Sequence, residues 1–530
     1  LVGGFVVLGV TEPELLAFQA GRAYEATTTN FGWMYLFVTT AFIAFCFFLA
    51  LTRYGRLRLG APGEAPEFGF GTWLGMIFSC GMGVGLVFWG VAEPLTHFDQ
   101  PPMGMAEPRS ADAARVALRY AVFHWGFHQW ANFAVVGLAI AYVRFRLGSK
   151  GLISECFRPL LGARVDGPWG KAIDVLAVLA TTVGVATTLG LGALQINSGL
   201  AIEYGLSYGP GTQLRIMAGV GVLFTLSAVT PLEKGLRFMS DLNMLLAAAL
   251  LAFVFFAGPT PFITAAMTNT VGEYLSNVVG MSLAMTPFTG EDWIERWTIF
   301  YWAWGLSWAP FVGSFIARIS RGRTIREFSI GVVMVPAALS ILWFATFGGT
   351  ALYFDLFEGA GLADAARAEL PSALFATLDR LPFPDLLSLA ALVLVALFVV
   401  TSANSATFVL GMFTSHGRLD PSRLVRLVWG GLQLGVASVL LLGGGLEAIQ
   451  TLSIVAGFPF VVLMIFMAVG LYRGLAREVE ELELHDLLFK RRLEQLLAET
   501  EAARAPGGAE GGARPEAASE PGASRPDPEA

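Results

Sequence analysis

Long apolar runs alternate along the chain with short polar connections rich in arginine. A helix that crosses a bilayer needs about 20 mainly apolar residues. On that measure the pattern predicts twelve spans: 1–10, 31–51, 71–95, 116–143, 172–202, 213–231, 241–257, 294–317, 328–357, 385–415, 424–446 and 450–472. The stretches 31–51, 328–357 and 450–472 stand out on hydropathy alone, whereas several others are rich in glycine or carry charge. The first is short and begins at Leu1 without a Met, and is read as a span trimmed at its amino end. It has neither the basic leader nor the clear small-residue cleavage site of a signal peptide.

The connections carry their charge unevenly. One set holds Arg53, Arg56, Arg58, Arg144, Arg146, Lys150, Arg158, Arg164, Lys171, Lys234, Arg237, Arg318, Arg321, Arg323, Arg326, Arg418, Arg423 and Arg426. The alternate set holds Arg22, Arg109, Arg367 and Arg380. Basic residues collect on the cytoplasmic side, so the first set and both termini are placed in the cytoplasm. The alternation also supports the number of spans, because one missed span would scramble it.

Two outer connections read as structured. In 273–290, Tyr274, Leu275, Val278, Val279, Met281 and Leu283 are mixed with polar residues, the pattern of an amphipathic interfacial helix. The loop 358–384 is longer and carries acids and prolines. The domain reading is two leading helices in 1–70 and a core in 71–472, with halves at about 71–272 and 294–472 joined by 273–290. A cytoplasmic tail fills 473–530. In the tail, Leu482, Leu484, Leu487, Leu488, Leu493, Leu496 and Leu497 recur at helical spacing, so 475–503 reads as an amphipathic helix. After Ala505 the composition is that of a disordered segment.

Composition narrows the class. Of 530 residues, 55% are hydrophobic and 14% charged, with a mean hydropathy of +0.63. Soluble domains are about a quarter charged, so a cytosolic enzyme is excluded. The net charge of −7 gives no footprint for nucleic acid. The tail, with 13 acids and 8 bases, holds most of that excess. Cys46, Cys80 and Cys156 are scattered through apolar sequence and form neither a disulfide framework nor a metal spacing.

Three constellations carry candidate chemistry. In 69–90 (GFGTWLGMIFSCGMGVGLVFWG), Gly81, Gly83 and Gly85 alternate inside a span. Such a run is poor for a helix. It reads either as an unwound stretch lining a cavity, as in secondary transporters, or as close helix packing through small residues. The second constellation is aromatic: AVFHWGFHQWANF at 121–133 and WTIFYWAWGLSWAPF at 297–311. Trp130, Phe133, Trp304 and Trp308 fall near the middle of their spans, away from the interfacial belts where membrane Trp is usual. They read as core packing or, more sharply, as an aromatic cage for a desolvated cation such as a methylated ammonium. The third is hydroxyl-rich. Thr401, Ser402 and Ser405, with Thr181, Thr182, Thr187 and Thr188, offer hard oxygen ligands to an alkali cation, though Ser and Thr often merely back-bond in membrane helices. Glu93 and Asp241 are acids near span ends, and His124 and His128 stand i,i+4 as a metal pair would, without an obvious third ligand.

At these residues the sequence strongly resembles the betaine/choline/carnitine transporter family. The matching stretches are GMGVGLVFWGVAEP (81–94), FHWGFHQWANFAVVGLAIAY (123–142), TTLGLGALQI (187–196), FYWAWGLSWAPFVGSFIARISRGRTIREF (300–328) and VTSANSATFV (400–409). The amino end, the 358–384 loop and the tail are not covered. The resemblance implies an all-α polytopic membrane protein of about twelve transmembrane helices, ten of them in two inverted five-helix repeats like the leucine-transporter fold. It further implies a homotrimer in lipid that carries small zwitterionic or cationic compatible solutes for osmoprotection. By position it implies a substrate cage of Trp125, Trp130, Phe133, Trp304, Gly305 and Trp308, with Met82 at the unwound segment. Betaine-carrying relatives typically have Tyr at the position of Phe133 and Trp at that of Gly305, so here one indole wall is missing. A sodium site would use backbone carbonyls of Ser79, Met82 and Phe398 with the hydroxyls of Thr401 and Ser402. Sodium-independent relatives place an Arg at the position of Met244. For a second sodium site Thr181 and Phe311 match, but Val185 stands for a Thr and Asn404 for the usual Asp.

The expected function is a sodium-coupled secondary transporter that imports a betaine-type solute across the cytoplasmic membrane, without a cofactor beyond the coupling Na+. Proton-coupled or exchange transport of choline, carnitine, ectoine or a sulfonium solute is the alternative. A membrane enzyme would need clustered His, Asp, Glu or Cys, and the chain has five His. An osmosensing receptor without flux is the third class, separated by whether solute accumulates in vesicles.

Overall fold

The computed structural model describes residues 1–81, 83–229, 233–418 and 420–504, with 78–81, 226–229, 233–237 and 502–504 described by backbone alone. Met82, read as a cage and sodium-site residue, therefore lies outside the described residues, as does the low-complexity end at 505–530. Among the described residues the fold is all-α: no strand forms, and a single antiparallel bridge joins Arg58 to Thr324. In chain order the helices are α1 (Val2–Thr11), α2 (Pro13–Leu51), α3 (Phe70–Gly81), α4 (Val84–Asp99), α5 (Ala111–Trp125), α6 (Phe127–Phe145) and α7 (Arg158–Leu161). There follow α8 (Pro168–Tyr204), α9 (Pro210–Val229), α10 (Glu233–Ala257), α11 (Thr260–Ser282), α12 (Phe300–Ile319) and α13 (Ile325–Glu358). The last are α14 (Leu362–Ala368), α15 (Ala373–Leu378), α16 (Pro384–Thr414), α17 (Arg423–Leu442) and α18 (Leu446–Arg504).

Local sequence places the ends. Ser110 caps α5 by accepting from the Ala113 N–H, and Thr324 with Glu327 forms a reciprocal capping box at α13. Pro168 opens α8, and Gly205 closes it in the left-handed conformation that glycine takes freely, at φ 67°.

Among the described residues seven helices are long and apolar enough to cross a membrane. Three of the others fall short for physical reasons, whereas the expected span 213–231 runs past the fully described residues. The two expected spans at 71–95 and 116–143 are each broken into two helices, of 12 and 16 residues and of 15 and 19 residues. α12 is 20 residues long but much of it is Trp and Tyr, which rank low in hydropathy. The break inside 116–143 is not expected from the sequence. It falls at Gly126, where a Cβ would lie 2.6 Å from the Val122 carbonyl oxygen and 2.7 Å from the Tyr274 hydroxyl. The helix expected at 273–290 falls on the last turns of α11, which starts at Thr260 behind a proline and ends at Ser282, with turns and irregular backbone from 283 to 290. The loop 358–384 folds into α14, a short 3-10 turn and α15.

Residues Leu1–Leu475 form one compact unit, and 476–530 form a second. Within the first, α6 packs on α12 through paired glycines: a Cβ on Gly313 would reach 3.0 Å from the Gly137 nitrogen. α4 and α13 approach in the same way, with Gly348 facing the Gly90 carbonyl. Without a hydrophobic force between helices in lipid, such close backbone contact supplies the packing. In the second unit, Leu482, Leu484, Leu487 and Leu488 are exposed.

The charge asymmetry of the sequence is less sharp than the loops alone imply. Arg115, Arg119 and Arg296 also lie at the Arg109 end, each with an acidic partner: Asp112 at 3.0 Å, Glu273 at 3.0 Å and Asp292 at 2.6 Å.

Candidate functional site

The break in the third predicted span decides where the site forms. α3 ends at Gly81 and α4 starts at Val84, with Gly83 between them in extended backbone at φ −151°, ψ −162°. Gly85 serves differently: a Cβ there would overlap Trp304 and reach 2.8 Å from the Trp125 ring. The glycine run therefore supports both of its readings, a break at Gly83 and close packing at Gly85.

The indoles that close on this backbone are held by their N–H edges. Trp308 and Trp304 both donate to the Gly184 carbonyl of α8, at 2.7 and 3.3 Å. Trp125 donates to the Glu93 carboxylate at 3.1 Å. With the edges tied, the faces are left to meet a ligand. Trp125 and Trp304 are 5.8 Å apart at 87°, Trp304 and Trp308 6.4 Å at 77°, and Trp130 and Phe133 5.6 Å at 89°. All five side chains are buried, between 3% and 9% exposed. With Gly83, Gly85, Leu86, Gln129, Thr188 and Ser340 they line a cavity of about 30 Å³. That is room for a water molecule rather than an organic solute, so the cage is closed in this conformation.

Gly305 sits beside the cage rather than on its lining. The space that an indole would fill is taken by Gln129 of α6, whose amide a Cβ at 305 would overlap. Sequence reasoning misses Gln129. Its signal is a polar residue in mid-span, four residues from both Trp125 and Phe133. Ser340 gives no such signal, since it lies in a long apolar helix and donates to the Pro336 carbonyl at 3.1 Å.

A second cavity, of about 490 Å³, shares α6 and α12 with the cage and is lined further by α9, α10, α16 and α17. Phe311, Ser314, Phe315 and Arg318 come from α12, Arg144 from α6, and Thr401, Asn404, Ser405, Thr407 and Phe408 from α16. Trp308 borders the cage, Phe311 borders this cavity, and the two rings meet edge to face at 5.5 Å.

Of the expected sodium ligands, Phe398, Thr401 and Ser402 fall on adjacent turns of the unbroken α16. Thr401 Oγ1 donates to the Leu397 carbonyl at 2.8 Å and accepts from Asn243 Nδ2 at 3.2 Å, which leaves a lone pair for a cation. Ser79 lies on α3 and is described by backbone alone. The hydroxyls of 181–188 mostly back-bond: Thr181 to Ala177, Thr182 to Val178 and Thr188 to Gly184.

The histidine pair is not a pair. The helix break at Gly126 falls between His124 and His128, so the i,i+4 face they would share does not exist. His128 stacks on Trp302 and meets Ser282 Oγ at 2.8 Å. His124 instead lies 2.6 Å from Glu93 Oε1, and His97 lies 3.3 Å from the same oxygen. All three side chains are fully buried, and their ligating atoms lie within 4.8 Å of one another. The other Glu93 oxygen holds Trp125, so this cluster braces one wall of the cage.

At the far end of α4 is an ion-pair network. Arg109 donates to Asp99 at 2.7 Å and also pairs with Asp364 of α14; Arg367 donates to Asp99 at 2.8 Å. Burial works against the Asp99 charge, yet the hydrogen bonds from Arg367 and Arg109 outweigh it and hold the carboxyl below its ordinary range.

A helical membrane body whose helices break beside a buried aromatic cage is the architecture of a membrane solute carrier. The chain belongs to the betaine/carnitine/choline transporter family, whose profile matches residues 1–480. It is a transporter rather than an enzyme, with several apolar helices passing the membrane. It is 48% identical to the glycine betaine transporter OpuD of Bacillus subtilis (strain 168), over 92% of this chain and 95% of that one. It is 44% identical to the ectoine/hydroxyectoine transporter of Virgibacillus pantothenticus, over 90% and 95%. The probable glycine betaine transporter of Desulfitobacterium hafniense (strain Y51) is also 44% identical, over 89% and 95%.

Proposed function

We propose that the protein is a sodium-coupled secondary transporter that imports betaine- or ectoine-type compatible solutes across the cytoplasmic membrane. The observation that carries the reading is the buried cage of Trp125, Trp130, Trp304 and Trp308, whose ring faces suit a desolvated cationic group. Relatives whose names state glycine betaine and ectoine support the solute class. Thr401 and Ser402, with carbonyls of Ser79, Met82 and Phe398, are the proposed sodium ligands. Twelve helices, two inverted repeats, cytoplasmic termini and a homotrimer complete the proposal, supported by the charge pattern of the loops and by family membership.

The test is uptake of labelled solute into proteoliposomes holding the full chain, with a sodium gradient or a proton gradient alone. Accumulation is expected with sodium. The Thr401→Ala/Ser402→Ala double variant is expected to need several-fold more sodium for half-maximal uptake, since two hydroxyl ligands are lost. Equal accumulation on a proton gradient without sodium, or unchanged sodium dependence of the double variant, would overturn the coupling.

A further inference from the structure

We propose that Gln129 is a specificity-determining residue. Its amide makes the cage favour cationic solutes that carry a hydrogen-bond donor on the charged group, such as a cyclic amidinium, over permethylated ammonium ions. The inference rests on the reading of the cage as a cation site.

Three observations carry it. Gln129 lines the same cavity as Trp125, Trp130, Trp304 and Trp308. Its amide fills the volume left by Gly305, since a Cβ at 305 would overlap both its oxygen and its nitrogen. Its Oε1 is buried and has no hydrogen-bond partner among the described residues. The remaining walls are ring faces, Leu86, glycine backbone and two hydroxyls, Thr188 and Ser340, whose protons go to carbonyls of their own helices at 3.4 and 3.1 Å. The buried amide carbonyl asks for a donor, because leaving it unpaired costs free energy that a donor recovers.

The consequence is asymmetric. A trimethylammonium group satisfies the rings through its spread charge but offers Oε1 only weak C–H contacts. An amidinium offers the rings the same charge and offers Oε1 an N–H. A site built around a polar group rejects the ligand lacking the donor more strongly than an apolar pocket rejects a missing methyl. The rings must part to admit either solute, and Gln129 can follow them, being half-buried and long. It stands three residues after the break at Gly126.

The experiment uses the full chain in proteoliposomes, driven by whichever gradient supports uptake. It reads the ratio of half-saturation constants for ectoine, a cyclic amidinium with N–H donors, and glycine betaine, a trimethylammonium without one. Gln129→Leu and Gln129→Met keep most of the volume and remove the acceptor. Each is expected to move the ratio about tenfold against ectoine. Gln129→Asn, which keeps an amide, is expected to lie between them and the parent. Solute quenching of tryptophan fluorescence in purified protein gives the same ratio for a variant that folds but does not transport. A ratio unmoved within about twofold in whichever apolar variant folds overturns the inference, as does an equal loss for both solutes, which would mean that the amide serves their shared carboxylate. If the parent protein binds neither solute, the cage reading itself fails, and that outcome is separate from the variants.

Discussion

The closed cage and the larger cavity share two of their helices, α6 and α12, and differ in volume and in charge. α6 gives Trp130 and Phe133 to the one and Arg144 to the other; α12 gives Trp304 and Trp308 to the one and Ser314 and Arg318 to the other. In the cage, aromatic faces close on about 30 Å³; the cavity, of about 490 Å³, is also largely apolar, with Phe224, Phe311, Phe315 and Phe408 on its walls, but adds the guanidinium groups of Arg144, Arg318 and Arg426. The lesson is that α6 and α12, which give the cage its rings, each add a guanidinium a few turns on, Arg144 and Arg318, while α12 keeps rings there in Phe311 and Phe315. Among the described residues one ring pair, Trp308 against Phe311, spans the two regions. A cation bound by ring faces gains most where water is excluded, and it is released more easily where the space is wide enough for water and guanidinium groups of like charge stand on its walls. Cage and cavity are therefore suited to holding and to releasing a solute.

The variant that breaks this comparison most severely is Trp308→Ala. It removes a face of the cage and one half of the ring pair, and so joins the two spaces. A cation–π contact at a desolvated site is worth about 2 kcal/mol, and about 1.4 kcal/mol is tenfold in affinity. With lost packing added, the concentration for half-maximal uptake is expected to rise by tens of fold. Trp308→Phe keeps a ring face and its contact with Phe311 but loses the N–H to Gly184, and is expected to rise less. Equal effects of Ala and Phe would show that the ring face is not what binds.

Much of the cage was legible in the sequence and little of its geometry. Trp130, Trp304 and Trp308 fall in mid-span, where a belt residue does not belong, so residue type and depth alone single them out. The break at Gly83 follows from three alternate glycines. The break at Gly126 is invisible, because a single glycine in an apolar span is ordinary; what requires the glycine is crowding by the Val122 carbonyl and by Tyr274, a residue 148 positions away. The same blindness made His124 and His128 look like neighbours. Gly305 read as an open side because a sequence reports the lost indole and not the Gln129 amide that takes its place. The ends of the helix expected at 273–290 were missed because α11 carries its apolar residues on a longer stretch than the one that looked amphipathic. Reading sequence alone finds chemistry where residue types are rare for their depth, and loses it where contacts are long-range.

A milder way to sharpen the comparison lies at the opposite end of the body, where Asp99 ties α4 to the loop 358–384 through Arg109 and Arg367. The Asp99 carboxyl is held below its ordinary value of 3.8. A depressed carboxyl contributes stability that is present above the unfolded value and lost as pH falls through the folded one. Both arginines are part exposed, at 39% and 56%, so the contribution is discounted for solvent screening. Asp99→Asn is expected to lower thermal stability by a few degrees at neutral pH, by an amount constant from pH 5 to 8 and shrinking below about pH 4. A difference that changes across pH 5 to 8 would assign the effect to another group. Uptake at saturating solute is expected to fall by no more than a few-fold, because the network lies outside both cage and cavity.

The smallest effect is expected from the tail. Cage, ring pair and cavity all lie within Leu1–Leu475, which packs as a unit by itself. After Ala476 Val479 is buried, but the leucines at 482, 484, 487, 488, 493, 496 and 497 are exposed, with 44% to 59% of each accessible, so the described part from 480 onward buries no apolar face of its own. Its charge is net acidic, which gives it no electrostatic pull toward an anionic membrane surface. Removing residues after Leu475 therefore subtracts nothing that lines the proposed path. Truncated protein that inserts normally is expected to keep its half-saturation constant and its maximal uptake within about twofold at fixed osmolarity. The measurement is uptake normalised to the amount of protein in the membrane fraction. Loss of uptake by protein that is present and folded there would place part of the transport machinery beyond 475, and the account of the path as cage, ring pair and cavity would then be incomplete.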